Sequence, residues 1–204
     1  ACAPYRRLHL CHHNLETINN TKSTTSDTLL AEVCLAAKYE AESLIPDHAQ
    51  YQTENTDFKT NICTVLARSF ADIGDIVRGR DIFRGNDEEK KKRDQLDENL
   101  KEIFAKIQEK LTGDAQNRYK DDPNFFKLRE DWWTANRETV WKAITCEANG
   151  TYFRPTCSDS EHSGTFSQAT KQCRCDGAKS ANADQVPTYF DYVPQYLRWF
   201  EEWA

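Results

Sequence analysis

The fold is decided by the stretch ARSFADIGDIVRGRD, which covers Ala67–Asp81. Its branched and aromatic residues recur with the helical period, and charged residues stand beside them. Two further blocks have the same character: LREDWWTANRETVWKAITC at Leu128–Cys146 and VPTYFDYVPQYLRWFEEW at Val186–Trp203. The pattern predicts long helices that bury apolar stripes against one another.

Helical periodicity elsewhere predicts an all-α protein, an elongated helical bundle with long loops. A helix capped by Ser26 or Asp27 should end near Leu44, because Pro46 cannot continue it. Residues 46–60 are polar and predict a loop. The other predicted helices are Ile62–Val77 (followed by Gly79), Asp87–Leu111, Pro123–Cys146 and Tyr189–Trp203 (bent at Pro194), with a helical turn near Leu8–Ile18.

The composition limits the classes of function. Of the 204 residues, 38% are hydrophobic and 29% are charged, which is typical of helices with large solvated faces. Seven glycines and six prolines are too few for a turn-rich all-β protein. The net charge of −6 disfavours nucleic acid as a partner, so any polyanion would have to meet a local basic patch.

Eight cysteines predict an oxidising compartment and a disulfide framework. A Cys63–Cys146 bond would clamp the helices of the first two quoted blocks, and Cys11–Cys34 is the pairing expected near the amino end. Residues 147–186 predict a long disulfide-tied loop. The cysteines expected in disulfides are Cys2, Cys11, Cys34, Cys63, Cys146, Cys157, Cys173 and Cys175.

Zinc is the alternative use of the last cysteines. Cys157, His162, Cys173 and Cys175 supply suitable ligand types, but a Cys-x-Cys pair does not have the usual zinc spacing. Disulfides are therefore favoured, and no metal or other cofactor is expected.

Asp72 and Asp75 lie three residues apart and share a helical face, as an acid pair would require. No nucleophile, base and orienting group accompany them, so no enzymatic activity is expected. The favoured interpretation is structural, because charges inside apolar stripes must be paired to limit the cost of desolvation. The residues expected in this buried polar network are Asp72, Asp75, Arg129, Glu130 and Arg137.

The tryptophans of the second block are also interpreted as structural. Trp133 and Trp141 are eight residues apart and lie near one helical face, whereas Trp132 is turned towards a different neighbour. The residues expected to point inward together are Phe126, Trp133, Val140, Trp141 and Ile144.

The candidate binding surface is a local cluster of basic residues. Clustered lysine and arginine suit the repeated anions of sulfated glycans. The acidic neighbours Glu88, Glu89 and Asp94 support the alternative of an ordinary solvated helix face. The candidate glycan-binding residues are Lys90, Lys91, Lys92, Arg93, Arg78, Arg80, Arg84, Arg6 and Arg7.

The three quoted blocks, together with CAPYRRLHLC at Cys2–Cys11, resemble the alpha class of Duffy-binding-like domains from the malaria parasite's variant erythrocyte membrane proteins. The resemblance spans nearly the whole chain. It implies a disulfide-linked adhesion domain on the extracellular face of the infected erythrocyte, with its membrane anchor elsewhere in the full chain. The implied partners are erythrocyte or endothelial receptors, including heparan sulfate-like glycans and the blood-group sugars of rosetting.

The resemblance also implies that residues 1–60 form a first subdomain and residues 61–204 a second, with the third absent. The apolar face of the last helix is then expected to be partly unpaired; its residues are Tyr196, Leu197, Trp199, Phe200 and Trp203. The absence of methionine predicts an excised fragment. Two alternatives stay open: a scaffold domain that packs against neighbouring domains of the same ectodomain, and a secreted enzyme or metal-binding protein.

Overall fold

The computed structural model describes residues 2–18, 25–57, 60–158, 166–169, 171–175 and 185–204. Strands β1 (Pro155–Ser158) and β2 (Phe166–Gln168) form a small antiparallel pair, and the rest of the regular structure is helical, as predicted. The helices are α1 (Tyr5–Leu8), α2 (His13–Glu16), α3 (Ser26–Glu54), α4 (Ile62–Arg78), α5 (Asp87–Glu109), α6 (Asp114–Arg118), α7 (Phe126–Ile144) and α8 (Gln195–Trp203), with a 3-10 helix at Phe190–Tyr192.

Helix α4 lies at the centre of the fold and contacts α1, α3, α7, α8 and the 3-10 helix. Residues 69–78 are all buried, so this helix is covered on every side. The closest approach is at Gly74, where a Cβ atom would lie 2.7 Å from Cζ2 of Trp133 on α7. The missing side chain therefore lets an indole ring pack directly on the α4 backbone.

The limits of α4 and α5 follow from local chemistry. The Asn61 side chain accepts a hydrogen bond from the amide of Cys63 at 2.9 Å, and Gly79 ends α4 with φ of 71°. Asn86 and Glu89 form a capping box at the start of α5. These two helices agree with the prediction to within two residues.

The prediction for α3 is wrong at its carboxyl end, because the helix continues through Pro46 to Glu54. Proline removes one backbone donor but does not prevent a helix when the freed carbonyl can reach water, and Pro46 is exposed. The following residues 47–54 include alanine, glutamine and glutamate, which favour a helix. The predicted loop thus shrinks to the residues after Glu54.

Helix α7 starts later than predicted, at Phe126 rather than Pro123, because Phe125 adopts a left-handed conformation with φ of 56°. Phe126 is 45% exposed, so the prediction that it points inward is wrong. At the other end of the chain Pro194 divides the predicted last helix into the 3-10 helix and α8. The buried core contains residues from both sides of residue 60, and the division into subdomains there stays a prediction.

Candidate functional site: interior ion pairs and an exposed basic surface

Asp72 and Asp75 on α4 are buried and engaged by arginines from other segments. Arg6 donates to Asp72 Oδ2 at 2.8 Å, and Arg198 of α8 donates to Asp72 Oδ1 at 2.7 Å. Arg198 also donates to Asp75 at 2.5 Å, as does Arg78 at 2.9 Å. The carboxylates therefore join α1, α4 and α8, which confirms the structural interpretation of this pair.

The two carboxyl groups differ in acidity. Burial raises the pKa of Asp75 to about 6 against the opposing pull of Arg198 and Arg78. Burial acts in the same direction at Asp72, but the charges of Arg6 and Arg198 outweigh it and hold the pKa of Asp72 below its usual range.

Arg129 of α7 closes the carboxyl end of α4. Its guanidinium donates to the carbonyl oxygens of Val77 at 2.6 Å and Ile76 at 3.2 Å, and to Asp97 of α5 at 2.9 Å. These carbonyls belong to the last turn of α4, where backbone oxygens lack partners inside the helix, and Ile76 O also accepts from the amide of Gly79 at 3.1 Å. Glu130 accepts from Arg78 at 3.3 Å, so both members of the predicted network on this part of α7 are confirmed.

The tryptophans are interior, as predicted. Trp133 and Trp141 are 0% and 2% exposed, and both rings contact Phe70 of α4. Trp132 packs edge-on against Phe104 of α5 instead. The second block of the sequence therefore packs against α3, α4 and α5.

The structure separates the predicted basic residues into two groups. Arg6, Arg7, Arg78 and Arg93 have their guanidiniums in interior ion pairs: Arg7 and Arg93 both pair with Asp81, and Arg7 is 0% exposed. Their main contacts are with the protein itself. The consecutive basic residues Lys90–Arg93 therefore do not form a single exposed surface, because Arg93 is turned towards Asp81.

Lys90, Lys91, Lys92 and Arg84 are exposed, and none has an ion-pair partner among the residues described by the structure. Arg80 is 54% exposed but pairs with Glu130 at 2.9 Å. The exposed basic surface, defined here as Arg84 and Lys90–Lys92, is therefore the part of the predicted set that faces solvent. Its role in glycan binding stays a prediction.

The disulfides differ from the predicted pairs. Cys63 bonds to Cys173 and Cys157 bonds to Cys175, whereas Cys146 is free. The segment after α7 folds back over the start of α4, since a Cβ at Gly150 would lie 3.0 Å from Cys63 Sγ. That return brings Cys173 rather than Cys146 to Cys63.

The expected Cys11–Cys34 bond is also wrong: both cysteines are free, as is Cys2, so four thiols are free in all. The backbone amide of Cys11 donates to Glu40 at 2.8 Å. Glu40 lies six residues beyond Cys34 on α3, or about 9 Å along the axis, which is beyond disulfide reach.

The alternative zinc site is overturned for its cysteines, because Cys157, Cys173 and Cys175 are all consumed by the two disulfides. His162 lies outside the described residues. Within the described ranges, no group of three or more histidine, cysteine or acidic side chains is placed to hold a metal ion.

Three of the buried charged residues that sequence analysis missed are Glu40, Asp191 and Arg198. Asp191 accepts two hydrogen bonds from Arg137 and one from Trp133. Glu40 accepts from Ser69 at 2.6 Å, and burial raises its pKa. Each of the three stands inside an apolar stripe, which is the signal that identified Asp72 and could have identified them.

One face of α8 is apolar and exposed. Trp199 is buried at 2% exposure, whereas the other four predicted residues of this face are between 45% and 70% exposed: Tyr196, Leu197, Phe200 and Trp203. The expectation of a partly unpaired face is confirmed. No helix in the described part of the chain is both long enough and apolar enough to cross a bilayer.

Comparisons with known proteins agree with this architecture. The Duffy binding domain model matches residues 1–198. The NTS-DBL1(alpha-1) domain of Plasmodium falciparum membrane protein 1 (PfEMP1) from the varO strain is 45% identical with a TM-score of 0.76, and the match covers 100% of this chain and 43% of that one. A comparison with curated proteins found no match.

Two DBLβ domains of PfEMP1 are also similar. One was solved bound to human ICAM-1 and is 29% identical; the other is an ICAM-1-binding domain and is 32% identical. Each has a TM-score of 0.64 over 97% of this chain, and the matches cover 38% and 41% of those chains. This chain thus spans less than half the length of the solved chains that it matches.

The fold is that of the Duffy-binding-like domains of PfEMP1, which are adhesion domains and not enzymes. The chain belongs to the Duffy binding domain family.

Proposed function

We propose that this chain is a host-cell adhesion domain of a parasite variant surface antigen, displayed on the extracellular face of the infected erythrocyte membrane. Family membership carries the proposal, because two similar domains were solved as binders of ICAM-1, a host receptor. The partner of this chain is a surface molecule of erythrocytes or endothelial cells.

The exposed basic surface is the proposed contact with that partner. Lys90–Lys92 point away from the interior at the start of α5, and Arg84 lies in the loop before it. Ammonium and guanidinium groups in one place suit a sulfated, heparan sulfate-like glycan. A blood-group sugar, as in rosetting, is the neutral alternative. A patch of four cations binds weakly, so adhesion would depend on display of many copies.

The test is binding of the folded fragment to intact red cells and to a heparin column. We expect retention at low salt that falls as salt rises, because exposed charges are screened. Replacing Lys90–Lys92 with serine should weaken retention and reduce its salt dependence. The charge-matched control replaces three exposed lysines elsewhere with serine: Lys110, Lys120 and Lys127. Equal loss in both variants, or no loss in either, would exclude this surface.

A scaffold role is the second candidate, and the exposed face of α8 favours it. Tyr196, Phe200 and Trp203 are each more than half exposed, and a contiguous apolar patch of this kind marks a contact surface. The occupant that we propose is a neighbouring part of the same ectodomain, because the solved relatives are more than twice as long as this chain. Replacing Phe200 and Trp203 with serine should then weaken packing in the longer protein and leave red-cell binding by the fragment unchanged.

A further inference from the structure

A cleft lies between the loop after α4 and the first four turns of α5. It has a volume of about 360 Å³, and its apolar floor is formed by Ile76, Leu96 and Leu100. The rest of the lining is mostly charged, and the whole set defines the Phe83 cleft; these residues are Gly79, Asp81, Phe83, Arg84, Lys90, Arg93, Asp94 and Asp97. Its size falls within the range of small-ligand pockets in proteins.

The charges of the cleft leave a positive surplus. Asp81 also lines it, but two guanidiniums, those of Arg7 and Arg93, share this one carboxylate. Arg84 and Lys90 have no acidic partner within the described ranges. Asp97 lines the cleft as well, but Lys101 and Arg129 pair with it, so Asp94 is the one lining carboxylate without an ion-pair partner among the described residues. An anion entering the cleft would therefore meet more positive than negative charge.

Two buried donors lack acceptors, one on the lining residue Arg93 and one on Arg7, which stacks on the lining residue Phe83. The Nη1 atoms of Arg7 and Arg93 are buried and have no hydrogen-bond partner in the described structure. Both guanidiniums stack on the ring of Phe83, with their central carbons 4.4 Å and 5.2 Å from its centroid. Buried donors without acceptors are costly, so an anion bound near them would relieve that cost.

We propose that the Phe83 cleft binds one anionic monosaccharide unit, through a carboxylate or sulfate group held by Arg84, Lys90 and Arg93. The proposal rests on the proposed glycan adhesion and names the chemistry of its ligand. The anionic group occupies the end near Arg93. The sugar hydroxyls donate to Asp94, while Phe83 and Leu96 cover the apolar C–H face.

A single sugar unit fits this cleft better than a stretch of polyanion. Asp94 repels a second negative group but accepts hydrogen bonds from hydroxyls. The same carboxylate disfavours an acidic peptide, which has negative groups but few hydroxyls. Lys91 and Lys92 do not line the cleft, so they can attract a longer glycan without contacting the bound unit.

The test uses methyl β-glucuronide and glucose 6-sulfate as probes, with methyl β-glucoside and acetate as controls, measured by NMR titration of the whole chain. We expect both anionic sugars to bind at least about tenfold more tightly than either control. Acetate binding as tightly as methyl β-glucuronide would overturn the sugar assignment in favour of any carboxylate, including an acidic peptide. Absence of binding by both anionic sugars would overturn the proposal.

Two charge-matched variants locate the site. Arg84→Ser with Lys90→Ser should weaken methyl β-glucuronide binding by about tenfold or more, whereas Lys91→Ser with Lys92→Ser should leave it unchanged. All four side chains are exposed, so both variants should fold. If both double variants weaken methyl β-glucuronide binding equally, the binding is non-specific electrostatic attraction and the proposed site is overturned. If the chain binds the anionic sugars but not red cells, the proposed cleft is supported and the proposed adhesion function is overturned. If it binds red cells but not the anionic sugars, the adhesion function is supported and the proposed cleft is overturned.

Discussion

Arg137 of α7 and Asp191 of the 3-10 helix form a two-point ion pair. Arg137 Nε donates to Asp191 Oδ2 at 2.8 Å, and Nη2 donates to Oδ1 at 2.7 Å. Their side chains are 12% and 0% exposed. Because both charges are largely removed from water, each depends on the other for compensation. This pair connects two of the sequence blocks that predicted the fold.

Removing that guanidinium should be costly. Arg137→Met keeps much of the side-chain length but leaves the buried Asp191 carboxylate without its main partner, so we expect a loss of about 3–5 kcal/mol in the free energy of unfolding. Urea denaturation measures it. Lys106→Met is the control: it removes a surface pair with Glu109 and should cost about 1 kcal/mol or less. Similar losses in the two variants would contradict the assignment.

Gly74 and Trp133 should behave as a coupled pair. Trp133→Ala empties a fully buried site and should cost about 3–5 kcal/mol. Gly74→Ala alone should cost about 1–3 kcal/mol, because its Cβ would collide with the indole. Without the indole, the same change should be neutral or stabilising, since alanine favours a helix over glycine by about 1 kcal/mol. Additive losses in the double variant would refute the contact.

Alkylation of the native chain should modify four thiols and leave two disulfide-linked pairs. Cys2 is exposed and should react first. Burial raises the pKa of both Cys11 and Cys34 to about 11, so their thiolate fraction at about pH 8 is small and their reaction slow. Mass spectrometry over time measures the order. A peptide linking Cys11 to Cys34, or rapid labelling of both, would contradict the structure.

Asp75 should make stability depend on pH. Its pKa of about 6 in the folded chain exceeds the ordinary value of 3.8, so the folded state binds this proton more tightly. Its contribution is therefore greatest below about pH 4 and is lost as pH rises to about 6, by at most about 3 kcal/mol. The unfolding free energy of the parent minus that of Asp75→Asn should fall across this window. A difference that rises with pH would mean that folding lowers the pKa of Asp75, which would contradict this prediction.

The sequence predicts α4 and α5 well because their period and caps are local. The partners of α4 are not local: Arg198 reaches Asp72 across more than 120 residues, and no spacing rule reports that contact. The prediction of the disulfide pairs failed for the same reason, because the pairing depends on how the segment after α7 returns to Cys63.

The sequence predicted which residues of the candidate binding surface are basic, but not which of their side chains face solvent. Arg93 and Lys92 are adjacent in one basic run, yet Arg93 turns inward to Asp81 and Lys92 faces solvent. Only the position of Asp81, set by the loop after α4, distinguishes them. Similarly, the prediction that Pro46 ends the helix was wrong, because the surroundings of α3 decide whether the loss of one backbone hydrogen bond is tolerated.

Shared interior partners have a consequence for how such a chain can change over generations. Asp72 is bonded by Arg6, Arg198 and Gln195, so a new residue at any one position needs simultaneous changes on distant segments. Lys90–Lys92 at the start of α5 have no ion-pair partner among the described residues. Substitutions at Lys90–Lys92 can therefore accumulate one at a time, whereas a substitution at Asp72 must be matched on two other segments of the chain if the fold is to be kept.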